Sequence, residues 1–107
     1  MDKLKKDGKV AVLISRGYGA GWYSWCKNKE LLFDVDIAKI LINCDNEPSE
    51  RDKRIIVEIA TEKYGDDYYG GVDGLEVDWV DEGCLFRIDE YDGAESLHIG
   101  YEDYISA

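Results

Sequence analysis

"LEVDWVDEGCLFRIDEYDGAESLHI", residues 75–99, is where the chain changes from a helical period to a period of two. Leu75, Val77 and Trp79 alternate with Glu76 and Asp78, and Phe86 and Ile88 alternate with Arg87 and Asp89. Leu97 and Ile99 then face inward in the closing segment SLHIGY, residues 96–101. Strict alternation marks strands with one wet face. The intervening DEG at 81–83 and DGAE at 92–95 supply glycines for hairpin connections. An antiparallel meander of three strands follows.

Two helices precede it. In DVDIAKILIN, residues 34–43, Val35, Ala38, Leu41 and Ile42 share one face with Ile37 and Ile40 beside them, and Asp34 stands at the N-cap. Ser49 with Asp52 three residues on forms a capping box for a second helix. Its apolar stripe is Ile56, Ile59, Ala60 and Tyr64, joined by Ile55, and Gly65 is its C′ residue. Ahead of both, KVAVLIS at Lys9–Ser15 is a continuous apolar, β-branched run, read as a buried strand that joins the sheet centrally. The expected order is β-α-α-β-β-β. It describes a single α+β domain over residues 1–107, with an antiparallel sheet of about four strands covered on one face by two helices.

Composition narrows the function. With 107 residues the chain supports one modest core. No window approaches the roughly 18 apolar residues of a membrane span. The apolar run 10–14 is shorter than the roughly 7–15 residues of a signal-peptide h-region, so the expected location is cytoplasmic. Cys26, Cys44 and Cys84 are widely spaced and odd in number, which argues for reduced thiols over a disulfide framework. A zinc site of these three with His98 lacks the usual close-spaced pairs, so no metal is expected. The formal charge is −11, and it is uneven. Residues 1–64 carry 12 Lys/Arg against 11 Asp/Glu, whereas residues 65–107 carry Arg87 alone against 13 acids. Such a balance repels nucleic acid and attracts cationic partners.

The candidate site is ISRGYGAGWYSW, residues 14–25. Its glycine spacing fails the G-x-G-x-x-G dinucleotide fingerprint, and no Gly-Lys-Ser/Thr follows for a phosphate loop. The residue types still suit a ligand. Gly17, Gly19 and Gly21 let backbone N–H groups approach it, Arg16 offers a planar fork to an anion, and Tyr18, Trp22, Tyr23 and Trp25 offer stacking faces. The plainer reading is that Trp22 and Trp25 cap an open end of the sheet while the glycines permit the path. A second aromatic wall is expected from Tyr68 and Tyr69 if their loop lies beside the first. Asp66, Asp67 and Asp73 lack the ligand order of a calcium loop. Arg87 is expected to pair across strands with Glu76 or Asp78. No nucleophile signature surrounds Cys26, so a Cys26/His98 dyad is not favoured and the chain is not expected to be an enzyme.

The stretches VAVLISRGYGAGWYSW (10–25), LLFD (31–34) and GCLFRIDEYDG (83–93) together resemble a family of small uncharacterised proteins encoded by phages and prophages. That family brings no established activity, so no residue role is carried over. The resemblance implies a context, action against host defence from within the host cytoplasm. Two readings follow. In the first, a non-catalytic module sequesters an anionic nucleotide-type signal at Arg16, Gly17, Tyr18, Gly19, Gly21, Trp22 and Trp25, without a cofactor. In the second, the acidic hairpins over residues 75–95 occupy a basic groove on a host protein as a nucleic-acid mimic. Exposed aromatic clusters also lead us to expect a homo-oligomer.

Overall fold

The computed structural model describes residues 2–100 and 105–107, and Tyr101 of the expected closing strand lies outside them. Strand β1 (Lys5–Lys6) turns through Asp7 and Gly8, both at positive φ, into β2 (Lys9–Ser15). An Asp-Gly pair with two positive φ angles is the tight turn that matches strand twist. Two short helical segments follow, α1 (Tyr23–Cys26) and α2 (Lys29–Phe33), and then the two longer helices α3 (Val35–Asn43) and α4 (Glu50–Tyr64). A 3₁₀ turn at Gly70–Gly74 leads into β3 (Leu75–Asp81), followed by β4 (Leu85–Tyr91), β5 (Ala94–Ile99) and β6 (Ile105–Ser106).

The α+β class is as expected, and both long helices start where the sequence places them. The Asp34 side chain accepts from Ile37 N at 2.9 Å. Ser49 and Asp52 exchange both bonds of the capping box. The strands, however, divide between two antiparallel sheets of order β1-β2-β3 and β5-β4-β6. The reason lies at the edges of β3. One edge pairs with β2 from Lys9↔Asp81 to Ser15↔Leu75. On the other, Asn46, in left-handed conformation just past α3, imitates a strand. Its Oδ1 accepts from Val77 N at 2.9 Å and its Nδ2 donates to Val77 O at 3.5 Å. At Val77 that second edge of β3 is taken, and β4 does not pair with it. The chain turns at Gly83, which donates to Ala107 O at 2.8 Å, and β4 pairs instead with β5 and β6.

Strand β2 is central, and both its faces are buried, which is why it reads as one unbroken apolar run. Ala11 and Leu13 meet Ile37, Leu41, Ile56 and Ala60 of the helices. Val10, Val12 and Ile14 meet Leu32, Phe33, Val80 and Phe86 on the side of the second sheet. The layers are therefore helices, sheet, sheet. Two residues expected to point inward do not. Ile99 is exposed at the end of β5, and Trp79 stands partly exposed in a shallow cleft with Leu4 and Ile42. Among the described residues no helix is long and apolar enough to cross a membrane.

Candidate functional site

The loop after β2 is pinned from below by one carboxylate. Glu95 of β5, 2% exposed, accepts from Ser15 N at 2.8 Å through Oε1. Its Oε2 accepts from Trp22 N at 2.9 Å, Ser24 N at 2.8 Å and Ser24 Oγ at 2.6 Å. A carboxylate so satisfied behaves as a rivet, because each bond to a charged acceptor is stronger than a neutral one. The sequence held a signal for it, since Glu95 is in phase with Leu97 on the inward side of β5.

The glycines have a packing explanation. A Cβ on Gly74 would stand 2.4 Å from Gly17 N, one on Gly71 2.4 Å from Gly21 O, and one on Gly93 2.3 Å from Ala20 N. Three backbone crossings thus seat the loop between the 3₁₀ turn and the β4–β5 hairpin, closer than side chains allow. Hydrogen bonds from Arg16 N to Gly74 O (2.9 Å) and from Gly19 N to Asp92 O (2.7 Å) hold the same crossings.

The seven predicted residues part company here. Trp22 is wholly enclosed (0% exposed), tilted against Tyr69 at 5.6 Å, with its indole N–H on Leu31 O at 3.2 Å. It fills the interior and offers no stacking face, which corrects the expectation that it lines a hollow. Arg16 is also committed. Its Nε donates to Glu76 Oε1 at 2.5 Å, and its Nη2 pairs with Asp78. Arg16, which reaches the strand beside β2, takes the two carboxylates assigned from sequence to Arg87. That assignment fails because Arg87 lies in the other sheet, where it meets Asp89 at 3.3 Å.

Trp25 and Tyr18 face outward, 43% and 76% exposed. Of the expected second aromatic wall only Tyr68 is present, because Tyr69 is buried in the core against Trp22. Tyr68, 60% exposed, lies 5.9 Å from the Trp25 ring, and its phenol covers Gly70. A cleft of about 250 Å³ opens between Tyr18 and Tyr68, walled by Gly17, Gly19 and Gly70 with Asp73 at its side. Carboxylates ring these aromatics. Glu90 accepts from the Trp25 indole at 3.4 Å and from Gly93 N at 2.7 Å, and the Asp67 carboxylate accepts from Tyr68 N at 2.7 Å.

Burial first, and then the neighbouring Asp67 charge, push the Cys26 thiol up to about 11, so it stays protonated at neutral pH and is a poor nucleophile. Its Sγ faces Tyr68 O at 3.6 Å, whereas His98 meets Asp89 and Ser96, so the dyad is not assembled. Among the described residues no group of three or more His, Cys, Asp or Glu is placed to hold a metal.

A larger cleft, about 930 Å³, lies elsewhere, between the N-terminal arm and the joint of α2, α3 and α4. At its floor Asp34, Asp36, Lys63 and Tyr64 are bonded to one another. Buried Asp34 caps α3 with one oxygen and accepts from Lys63 (3.0 Å) and Tyr64 (2.5 Å) with the other. Burial, and then the bond to Asp34, hold the Tyr64 phenol far above its ordinary range. This cluster ties α3 to α4. Comparison with protein-family models, with curated proteins and with solved structures finds no match for the chain.

Proposed function

We propose that the protein is a non-catalytic interaction module that binds a basic protein surface through the acidic, aromatic face around Tyr18, Trp25 and Tyr68. One observation carries this reading. The exposed Trp25 indole bonds Glu90, Asp67 caps Tyr68 N and Asp73 lines the cleft with Tyr18, while the single guanidinium of the loop is already neutralised by Glu76 and Asp78. An anionic nucleotide would meet no uncommitted cation in the loop. The adjacent cleft is also smaller than the roughly 300–1,000 Å³ of ordinary small-molecule sites. Aromatic faces beside negative charge favour cations, and tyrosine and tryptophan are the residues that anchor protein interfaces. In the phage context suggested by the resemblance, the partner is a host protein with a nucleic-acid-binding groove. Carboxylates would stand there where phosphates otherwise lie.

The test is titration with a fluorescent arginine-rich peptide and, separately, with cyclic and linear nucleotides. The proposal expects peptide binding that weakens steeply between low and high salt. The triple change Asp67→Asn, Asp73→Asn, Glu90→Gln should weaken it at least tenfold. Saturable nucleotide binding with no peptide binding would reverse the assignment.

A further inference from the structure

The cleft between Tyr18 and Tyr68 has a more specific chemistry than the face around it. We propose that it receives a single arginine side chain of the basic partner; this rests on the interaction reading above and sharpens it.

The size comes first. About 250 Å³ is room for one side chain, not for a nucleotide or a peptide segment. Tyr18 and Tyr68 both line it, and Tyr68 is held by packing against Trp25 at 5.9 Å. Glycines at 17, 19 and 70 leave the remaining walls bare of side chains, and a flat group can come within hydrogen-bonding reach of backbone there. Tyr68 owes its position to Gly70, because a Cβ at that residue would strike the phenol oxygen at 2.4 Å.

Charge comes second. Asp73 lines the slot and, among the described residues, pairs with Lys53 at 3.5 Å, with its side chain 78% exposed. An ionised carboxylate has about four acceptor positions, so one long ion pair leaves capacity for another cation. A guanidinium fits these features together: it is planar, stacks on aromatic faces and presents several donors in a fork that matches a carboxylate. An ammonium is compact and strongly hydrated, with no flat face to insert. The slot therefore discriminates between the two cations, where an acidic surface alone would not.

The experiment compares an arginine-rich peptide with a lysine-rich peptide of equal length and charge, both labelled, against the full chain. The expected result is a preference for arginine of about tenfold, the size of a well-formed cation–π and carboxylate contact. Tyr18→Leu, Tyr68→Leu and Asp73→Asn should each remove the preference for arginine, the arginine peptide losing about tenfold and the lysine peptide less than about threefold. Gly70→Ala should do the same by displacing Tyr68 without removing it. Equal affinity for the two peptides in the unaltered protein overturns the slot and leaves the acidic-face reading standing. So does a preference that survives both tyrosine changes in variants with unchanged circular dichroism. Absence of binding to either peptide overturns both.

Discussion

At the scale of single residues, Glu95 is the side chain on which the candidate site turns. Its carboxylate takes four hydrogen bonds, one from Ser15 at the end of β2 and three from Trp22 and Ser24 where the loop enters α1. Glu95→Gln keeps the shape but replaces one acceptor oxygen with an amide that faces donors. Buried bonds to a charged group contribute roughly 1.5–3 kcal/mol each, and orphaned donors add their desolvation. Urea unfolding should register a loss of about 2–4 kcal/mol with an unchanged slope. A loss under about 0.5 kcal/mol, the range of ordinary surface changes, would mean that the loop is held by something else. Cys26 gives a second reading, in pH. Its folded value of about 11 lies above the usual 9.0, so the folded state holds the proton more tightly than the unfolded chain. The stability that follows is complete below about pH 9 and fades as pH rises toward 11. Alkylation of Cys26 should stay slow at pH 8 and accelerate only near that upper value. Fast labelling at neutral pH would contradict the half-buried, protonated thiol. In the sequence, Trp22 and Trp25 are indistinguishable, both indoles in a glycine loop. Only the crossing of other segments separates core from surface.

At the scale of elements, the legible parts were those with local causes. The caps at Asp34 and Ser49 act within one turn of their own helices, so the sequence shows them directly. The continuous apolar run of β2 likewise announced a central strand. What period-two alternation does not carry is the identity of the neighbouring strand, and here a side chain from outside the sheet, Asn46, decided it. Strand β1 escaped notice because Lys5 and Lys6 show no alternation, although Asp7-Gly8 was the turn signal. The glycine crossings make a sharp contrast between elements. Gly74→Ala drives a Cβ to 2.4 Å from backbone and should cost about 2–3 kcal/mol, as overpacking does. Gly17→Ala, on the opposite side of the same crossing, meets its nearest atom at 3.5 Å and should change stability by less than about 0.5 kcal/mol. Thermal melts of the two variants side by side check this, and equal melting temperatures would place the crossing wrongly.

At the scale of the whole molecule, charge and aromatic surface converge on one end. The acidic third supplies the 3₁₀ turn and the β4–β5 hairpin, and the loop that carries the predicted site is packed between them. Local composition made the loop conspicuous, but its partners come from residues about 50 to 75 positions away, which no short window contains. The most direct test follows the indole N–H resonances of Trp22 and Trp25 while an arginine-rich peptide is added. The Trp25 signal should move saturably, with the Tyr18 and Tyr68 rings, and return as salt is raised, while the Trp22 signal stays fixed. A Trp25 signal that never moves, or a Trp22 signal that responds to nucleotides, would contradict the assignment of this face to a cationic partner.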